Sequence, residues 1–406
     1  MAIAALSGWT KAQRTVVVAS FLGWTLDAFD FFLMVFVFED IAKEFHTTIP
    51  TVAWATTLTL AMRALGAFIF GRLADRYGRR PVLMFDVLLY SIFAFASGFS
   101  PNLMTLFVLR SLFGIAMGGE WGVGASLTME TIPPKARGFV SGILQCGYPT
   151  GYLLASVAYG LLFEHIGWRG MIMLGALPAL LVLYIRRSVP ESPGWKPKEN
   201  LVGSTADVVR RHWQLAIYAV LLMTAFNFYS HGTQDLYPTF LRVQHKFDPH
   251  TVSVIAIVYN LGAIAGGLTF GSWSERIGRR RAIVIAALLS LPILPLWAFS
   301  NTPLTLAAAA FAMQFMVQGA WGVIPAHLNE LSPPEARGTF PGFTYQLGNF
   351  LASSNLIIQG QIATAYDGQH SVALAFVAAT VALAIALLVG FGIERRGTPL
   401  TAAIVS

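Results

Sequence analysis

Twelve apolar runs, each long enough to cross a lipid bilayer, account for most of this 406-residue chain. A membrane-crossing helix needs about 20 apolar residues, because the hydrocarbon core is about 30 Å thick and each helical residue advances about 1.5 Å. Runs of that length fall at roughly 15–38, 51–72, 82–99, 104–130, 139–163, 169–187, 215–243, 251–275, 280–299, 303–330, 340–365 and 371–393. In lipid, every backbone polar group must be satisfied within the protein, which leaves helices or closed barrels. Runs this long select helices. The expectation is an all-α membrane protein with twelve transmembrane helices. Only 12% of residues are charged, against about 25% in soluble domains.

The net charge of +7 could suggest a nucleic-acid partner. The placement of the charges argues against it, because they sit in short loops between the apolar runs. With both termini cytoplasmic, 21 of the 27 Lys and Arg fall in cytoplasmic segments and four outside (Lys43, Arg169, Arg242, Lys246). Arg63 and Arg110 lie within spans. The expected partner is therefore a lipid bilayer, the expected location the bacterial inner (cell) membrane, and the expected state a monomer. The first run is full length and has no cleavage pattern, so it reads as an uncleaved span. Cys146 is the lone cysteine, which excludes an internal disulfide and a thiolate metal cluster. There is no phosphate-cradling glycine loop. No enzyme chemistry, cofactor or metal is expected.

An internal repeat appears at an offset of 200 residues. Gly71-Arg-Leu-Ala-Asp75-Arg76-Tyr-Gly-Arg-Arg80 recurs as Gly271-Ser-Trp-Ser-Glu275-Arg276-Ile-Gly-Arg-Arg280. Trp121-Gly-Val recurs as Trp321-Gly-Val, and Glu130-Thr-Ile-Pro-Pro-Lys-Ala-Arg137 as Glu330-Leu-Ser-Pro-Pro-Glu-Ala-Arg337. Two six-helix repeats follow: an N-terminal half (1–187), a proline-containing cytoplasmic linker (188–213) and a C-terminal half (214–406).

Polar residues deep in the spans are the candidates for function, because an ionisable group in a membrane helix is costly. In the first span Asp27 and Asp30 lie roughly 18 and 22 Å along the helix at 1.5 Å per residue. The 200-residue offset pairs Asp27 with Asn227 and Asp30 with Ser230. On the seventh span Asn227, His231 and Gln234 share one helix face, with Asp235 at its edge. Pro238 predicts a kink or an end there. These groups either line a cavity or serve as polar glue between helices. Arg63, too deep to reach the cytoplasm easily, presents a planar fork that fits a carboxylate. Two readings stand for it: a structural pair with Asp27 or Asp30, or an anchor for a carboxylate substrate that displaces an aspartate. Arg110 is open between proton coupling and packing.

The Gly71–Arg80 loop resembles the signature loop of the major facilitator superfamily. The pattern N-x-x-S-H-x-T-Q-D-x-x-x-T over 227–239 resembles the seventh-helix signature of lactate permeases in the sialate/lactate:proton symporter group of that superfamily. The resemblance implies alternating-access symport of a small monocarboxylate of the lactate or pyruvate type with a proton. The alternatives are a larger organic anion, sialate or an aromatic acid, and a transport-dead nutrient sensor; a cytoplasmic tail of only about a dozen residues weighs against the sensor. The residues expected to bind substrate are Arg63, Asn227, His231 and Gln234. Asp27, Asp30, Asp235, His231 and Arg110 are the proton-coupling candidates. Gly71, Asp75, Arg76, Glu130, Arg137, Glu275, Arg276, Glu330 and Arg337 are implied to latch the cytoplasmic side shut.

Overall fold

The computed structural model describes residues 8–195 and 205–400, and among them the regular structure is helical. Helix starts follow local chemistry. Thr10 and Gln13 form a reciprocal capping box ahead of α1 (Lys11–Phe36). Thr48, Asn102, Asp248 and Thr302 accept backbone N–H groups at the starts of α2 (Ile49–Tyr77), α4 (Leu103–Met117, continued as Glu120–Thr131), α8 (Pro249–Ile277) and α10 (Pro303–Trp321, continued as Ile324–Leu331). Gly78 and Gly278, at φ 106° and 100°, turn α2 directly into α3 (Arg79–Ser97) and α8 into α9 (Arg279–Ser290, with Leu294–Phe299). An L side chain is strained at such a φ.

Among the described residues, ten helical stretches are long and apolar enough to cross a membrane. One of them, Pro134–Ser188, is 55 residues long, and Gly167 at φ 60° breaks it into α5 (137–166) and α6 (168–188). The twelfth crossing is α11, which is interrupted at Ser353 and Ser354 (Phe340–Ala352, then Asn355–Ala365). α7 covers Thr205–Gln234 and continues through Tyr237–Thr239 and a π-helical turn, Phe240–Gln244; α12 is His370–Gly390. Part of the linker expected over 188–213, residues 196–204, lies outside the described residues.

Two boundaries differ from the sequence reading. The tenth-span and fourth-span helices are not continuous: Gly118-Gly119 and Gly322-Val323 interrupt them at repeat-related positions. The break expected at Pro238 falls earlier, after Gln234. Pro238 instead opens the next helical turn, where a missing N–H leaves no bond unmade.

The repeat is visible in the packing. α1 packs on α5 and α2 on α4; in the second half α7 packs on α11 and α8 on α10. The halves meet through α2 with α11 and through α5 with α8, the same pairing twice. At the α5–α8 crossing Gly142 lies against the backbone of Gly267, with no room for a side chain at Gly142. Large apolar residues such as Phe85, Leu161, Ile357, Phe376 and Leu387 are exposed on the outside of the bundle. That surface suits lipid, so the charged and amide groups buried inside need a separate account.

Candidate functional site

Between the halves lies a pocket of about 530 Å³, counting the solvent space at its mouth. Three helices of each half line it: α1 with Trp24, Asp27, Ala28 and Phe31, α2 with Leu60 and Arg63, and α5 with Gln145 and Tyr148; α7 with Asn227, Ser230 and His231, α10 with Gln318 and Trp321, and α11 with Tyr345 and Asn349. The expected matching of Asp27 with Asn227 is seen as two lining residues. Rings fill much of the wall. Trp24 lies 5.8 Å from Tyr148 and 6.2 Å from Tyr345, and Tyr345 lies 5.7 Å from Trp321 and 4.6 Å from Trp121.

Arg63 is the pocket's guanidinium, 5% exposed, with Nη2 donating to Asp27 Oδ2 at 2.5 Å. Asp27 Oδ1 and Arg63 Nε make no hydrogen bond. The pair is thus joined by one bond where a fork could make two. Arg110 pairs with Asp30 instead, Nη1 to Oδ2 at 3.0 Å, and its guanidinium sits 4.9 Å from the Phe113 ring. This second pair is buried behind the pocket wall, not on it.

On α7 the four-residue spacing brings His231 Nδ1 to Asp235 Oδ2 at 3.0 Å. Its Nε2 faces Asn349 Oδ1 of α11 at 3.1 Å. These side chains are partly open, His231 at 27% and Asp235 at 33% exposure. Asn227 donates to Met223 O of its own helix and still lines the pocket. Gln234 is turned to Gln314, 2.7 Å away, and is not a lining residue. Gln318 donates to Ser230 Oγ at 3.2 Å.

One end of the bundle, where residues near both termini pack, is tied shut. Asp75 accepts from Gly338 N (2.8 Å), Thr339 N (3.1 Å) and Thr339 Oγ1 (2.7 Å) across the halves. Glu275 accepts from Gly138 N in the mirrored contact. Gly71 lies against Thr339, and Ser126 Oγ donates to Arg337 O at 2.8 Å. Within each half an arginine bridges two acids: Arg79 to Asp75 (3.1 Å) and Glu130 (3.2 Å), Arg279 to Glu275 (2.8 Å) and Glu330 (3.0 Å). Arg137 reaches Glu330 at 3.8 Å and Thr398 O at 2.7 Å, and Arg337 reaches Leu400 O at 2.5 Å. Arg76 lies exposed over the Tyr77 ring at 5.2 Å, and the backbone carbonyl of Arg276 accepts from Arg396.

The profile of the Major Facilitator Superfamily matches residues 19–243 and 236–404. The chain belongs to the major facilitator superfamily. Its relatives include a carboxylic acid transporter protein homolog of Saccharomyces cerevisiae, 29% identical over 91% of this chain. The match spans only 64% of that relative's length. The sialic acid transporter NanX of Escherichia coli is 28% identical, with 95% of each chain covered. Among solved structures, the proton:xylose symporter XylE superposes with a TM-score of 0.76 at 16% identity, covering 96% of this chain and 98% of that one. As a superfamily member the protein is a transporter, not an enzyme.

Within this superfamily fold, several residues at the pocket and at the closed end escaped the sequence reading. Arg79 and Arg279 hold the ion-pair networks of the closed end, and their signal was present: each lies four residues after an acid, at matching repeat positions. Trp24 and Trp321 line the pocket, but a tryptophan in a membrane helix carries no mark of which way it faces. Asp86 of α3 was hidden in an otherwise apolar run.

Proposed function

We propose that this protein is a proton-coupled symporter of an organic monocarboxylate, working by alternating access. The observation that carries this reading is a buried arginine on the pocket wall joined by a single hydrogen bond to an aspartate. An arginine cannot give up its charge, so something anionic must face it. A substrate carboxylate on Arg63 makes two acids share one cation. The acid that loses its partner then favours the neutral form, and Asp27 takes a proton. Entry of an anion against an inside-negative potential costs about 2.3 kcal/mol per 100 mV, and a co-transported proton cancels that cost. His231 can donate to Asp235 and Asn349 together when both its nitrogens carry hydrogen, which suits it to pass a proton at the pocket mouth.

The charge bias of the loops supports a cytoplasmic position for the latched end. The conformer is then outward-facing, with His231 and Asp235 on the open side. The two halves, 1–187 and 214–406, would rock about the pocket.

The seventh-helix pattern favours a small acid of the lactate or pyruvate type. The relatives named for carboxylic acid and sialic acid support an organic anion in general. The larger-anion reading has one observation of its own: Trp24, Tyr148, Trp321 and Tyr345 offer ring faces that lactate would leave largely uncovered. Uptake of labelled lactate into proteoliposomes, competed by acetate, lactate, pyruvate, benzoate and sialate, separates the two. Lactate and pyruvate should compete best. Stronger competition by benzoate or sialate would move the assignment to the larger anion, and no competition by any carboxylate would refute it.

A further inference from the structure

Between the latch and the open end, α1 to α4 bury four carboxyl groups and two guanidiniums. Arg63 takes Asp27 and Arg110 takes Asp30. Asp86 of α3 and Glu120 of α4 are left over. Asp86 is 0% exposed and neither of its oxygens has a hydrogen-bond partner; Glu120 is 2% exposed and its Oε2 has none. Asp27 from α1 and Arg63 from α2 act on both, Glu120 acts on Asp86, and Tyr90 of α3 feels both carboxyl groups. Each of the two arginines already bonds an aspartate of α1. Two negative charges buried without a hydrogen-bond donor, sharing an arginine already bonded to Asp27, would cost many kcal/mol, and one proton on each removes that cost.

The surroundings are shaped to these groups. A Cβ on Gly23 of α1 would overlap Glu120 Oε1, and a Cβ on Gly119 would come within 3.2 Å of Asp86 Oδ1. Glu120 also lines a second, small cavity with Ser20, Trp24, Gly124 and Leu144. Trp24 is a wall of both cavities, and its Nε1 has no partner. Ser20 lies one turn from Trp24 toward the latch, so the second cavity sits on the latch side of the pocket.

We propose that Asp86 and Glu120 form a second proton-binding site behind Trp24, through which the coupling proton leaves Asp27 toward the latch end. In this sequence Asp27–H gives its proton to Glu120 carboxylate, formed when Glu120 has released its own toward the latch side, and Asp27 returns to Arg63. Asp86 keeps its proton and holds the site neutral. The transport part rests on the proton-symport reading above; the protonation part does not.

The test uses the full chain in proteoliposomes. Infrared difference spectra between wild type and each variant should show the loss of one neutral carboxylic-acid C=O band in Asp86→Asn and one in Glu120→Gln. No band lost in either variant overturns the site, whatever the protein transports. For transport, Glu120→Gln should keep carboxylate exchange within twofold of wild type while net proton-driven uptake falls at least tenfold. Unchanged net uptake, or equal loss of exchange and net uptake, overturns the exit route. Wild-type uptake that ignores the proton gradient refutes the symport reading and leaves the infrared result to decide the site.

Discussion

Arg63 carries the account at the scale of a single residue. Lysine keeps its charge but not its fork, and one lost charged hydrogen bond is worth about 1.5–3 kcal/mol. Arg63→Lys should therefore cut uptake at low substrate by about 10- to 100-fold, with protein still present in the membrane. Uptake within twofold of wild type would remove Arg63 as the anchor. The His231–Asp235 contact makes a separate prediction. If it relays protons, Asp235→Asn should abolish concentrative uptake while exchange of internal for external substrate survives. If His231 only binds substrate, His231→Asn should raise the half-saturation concentration and leave accumulation intact at high substrate. Arg63 and His231 were legible in the sequence because charge in an apolar run is conspicuous. The turning of Gln234 away from the pocket was not, because it depends on Gln314 of another helix.

At the scale of helices, the close approach of α2 and α4 positions Arg63. Gly118 lies against the Arg63 carbonyl and Gly66 against that of Ile115. A side chain at Gly118 has backbone to push against, so it must move α4 off α2; overpacking of this kind costs about 1–3 kcal/mol. Gly118→Val should lower the Tm of the purified protein and depress uptake further than its Tm predicts, because Arg63 shifts. A variant with wild-type Tm and uptake would show that the approach is not needed. The twelve crossings were legible from run length alone. The interruptions within α4, α7, α10 and α11 were not, because a helix break inside a bundle is fixed by what the neighbours satisfy.

The whole molecule is bistable if the latch is what holds it outward-facing. Asp75 alone accepts three hydrogen bonds from the opposite half. Asp75→Asn turns a charged acceptor into a neutral one and should raise the share of molecules open at the latch end. Ser126, 0% exposed and bonded to Arg337 O, is a reporter position. In a Cys146→Ala background, labelling of Ser126→Cys by a membrane-impermeant thiol reagent from the latch side should rise severalfold with Asp75→Asn. Unchanged labelling would show that Asp75 does not hold the closed state. The repeat made this symmetry readable from sequence, since Asp75 and Glu275 sit 200 positions apart and make equivalent bonds.

The central claim is that a carboxylate takes Arg63 and that Asp27 answers by taking a proton. Proton uptake by purified protein in weak buffer near neutral pH, measured as saturating carboxylate is added, tests it most directly. Wild type should take up about one proton per transporter on binding, and Asp27→Asn should bind and take up none. Binding without proton uptake in wild type, or the same uptake in Asp27→Asn, would contradict the account.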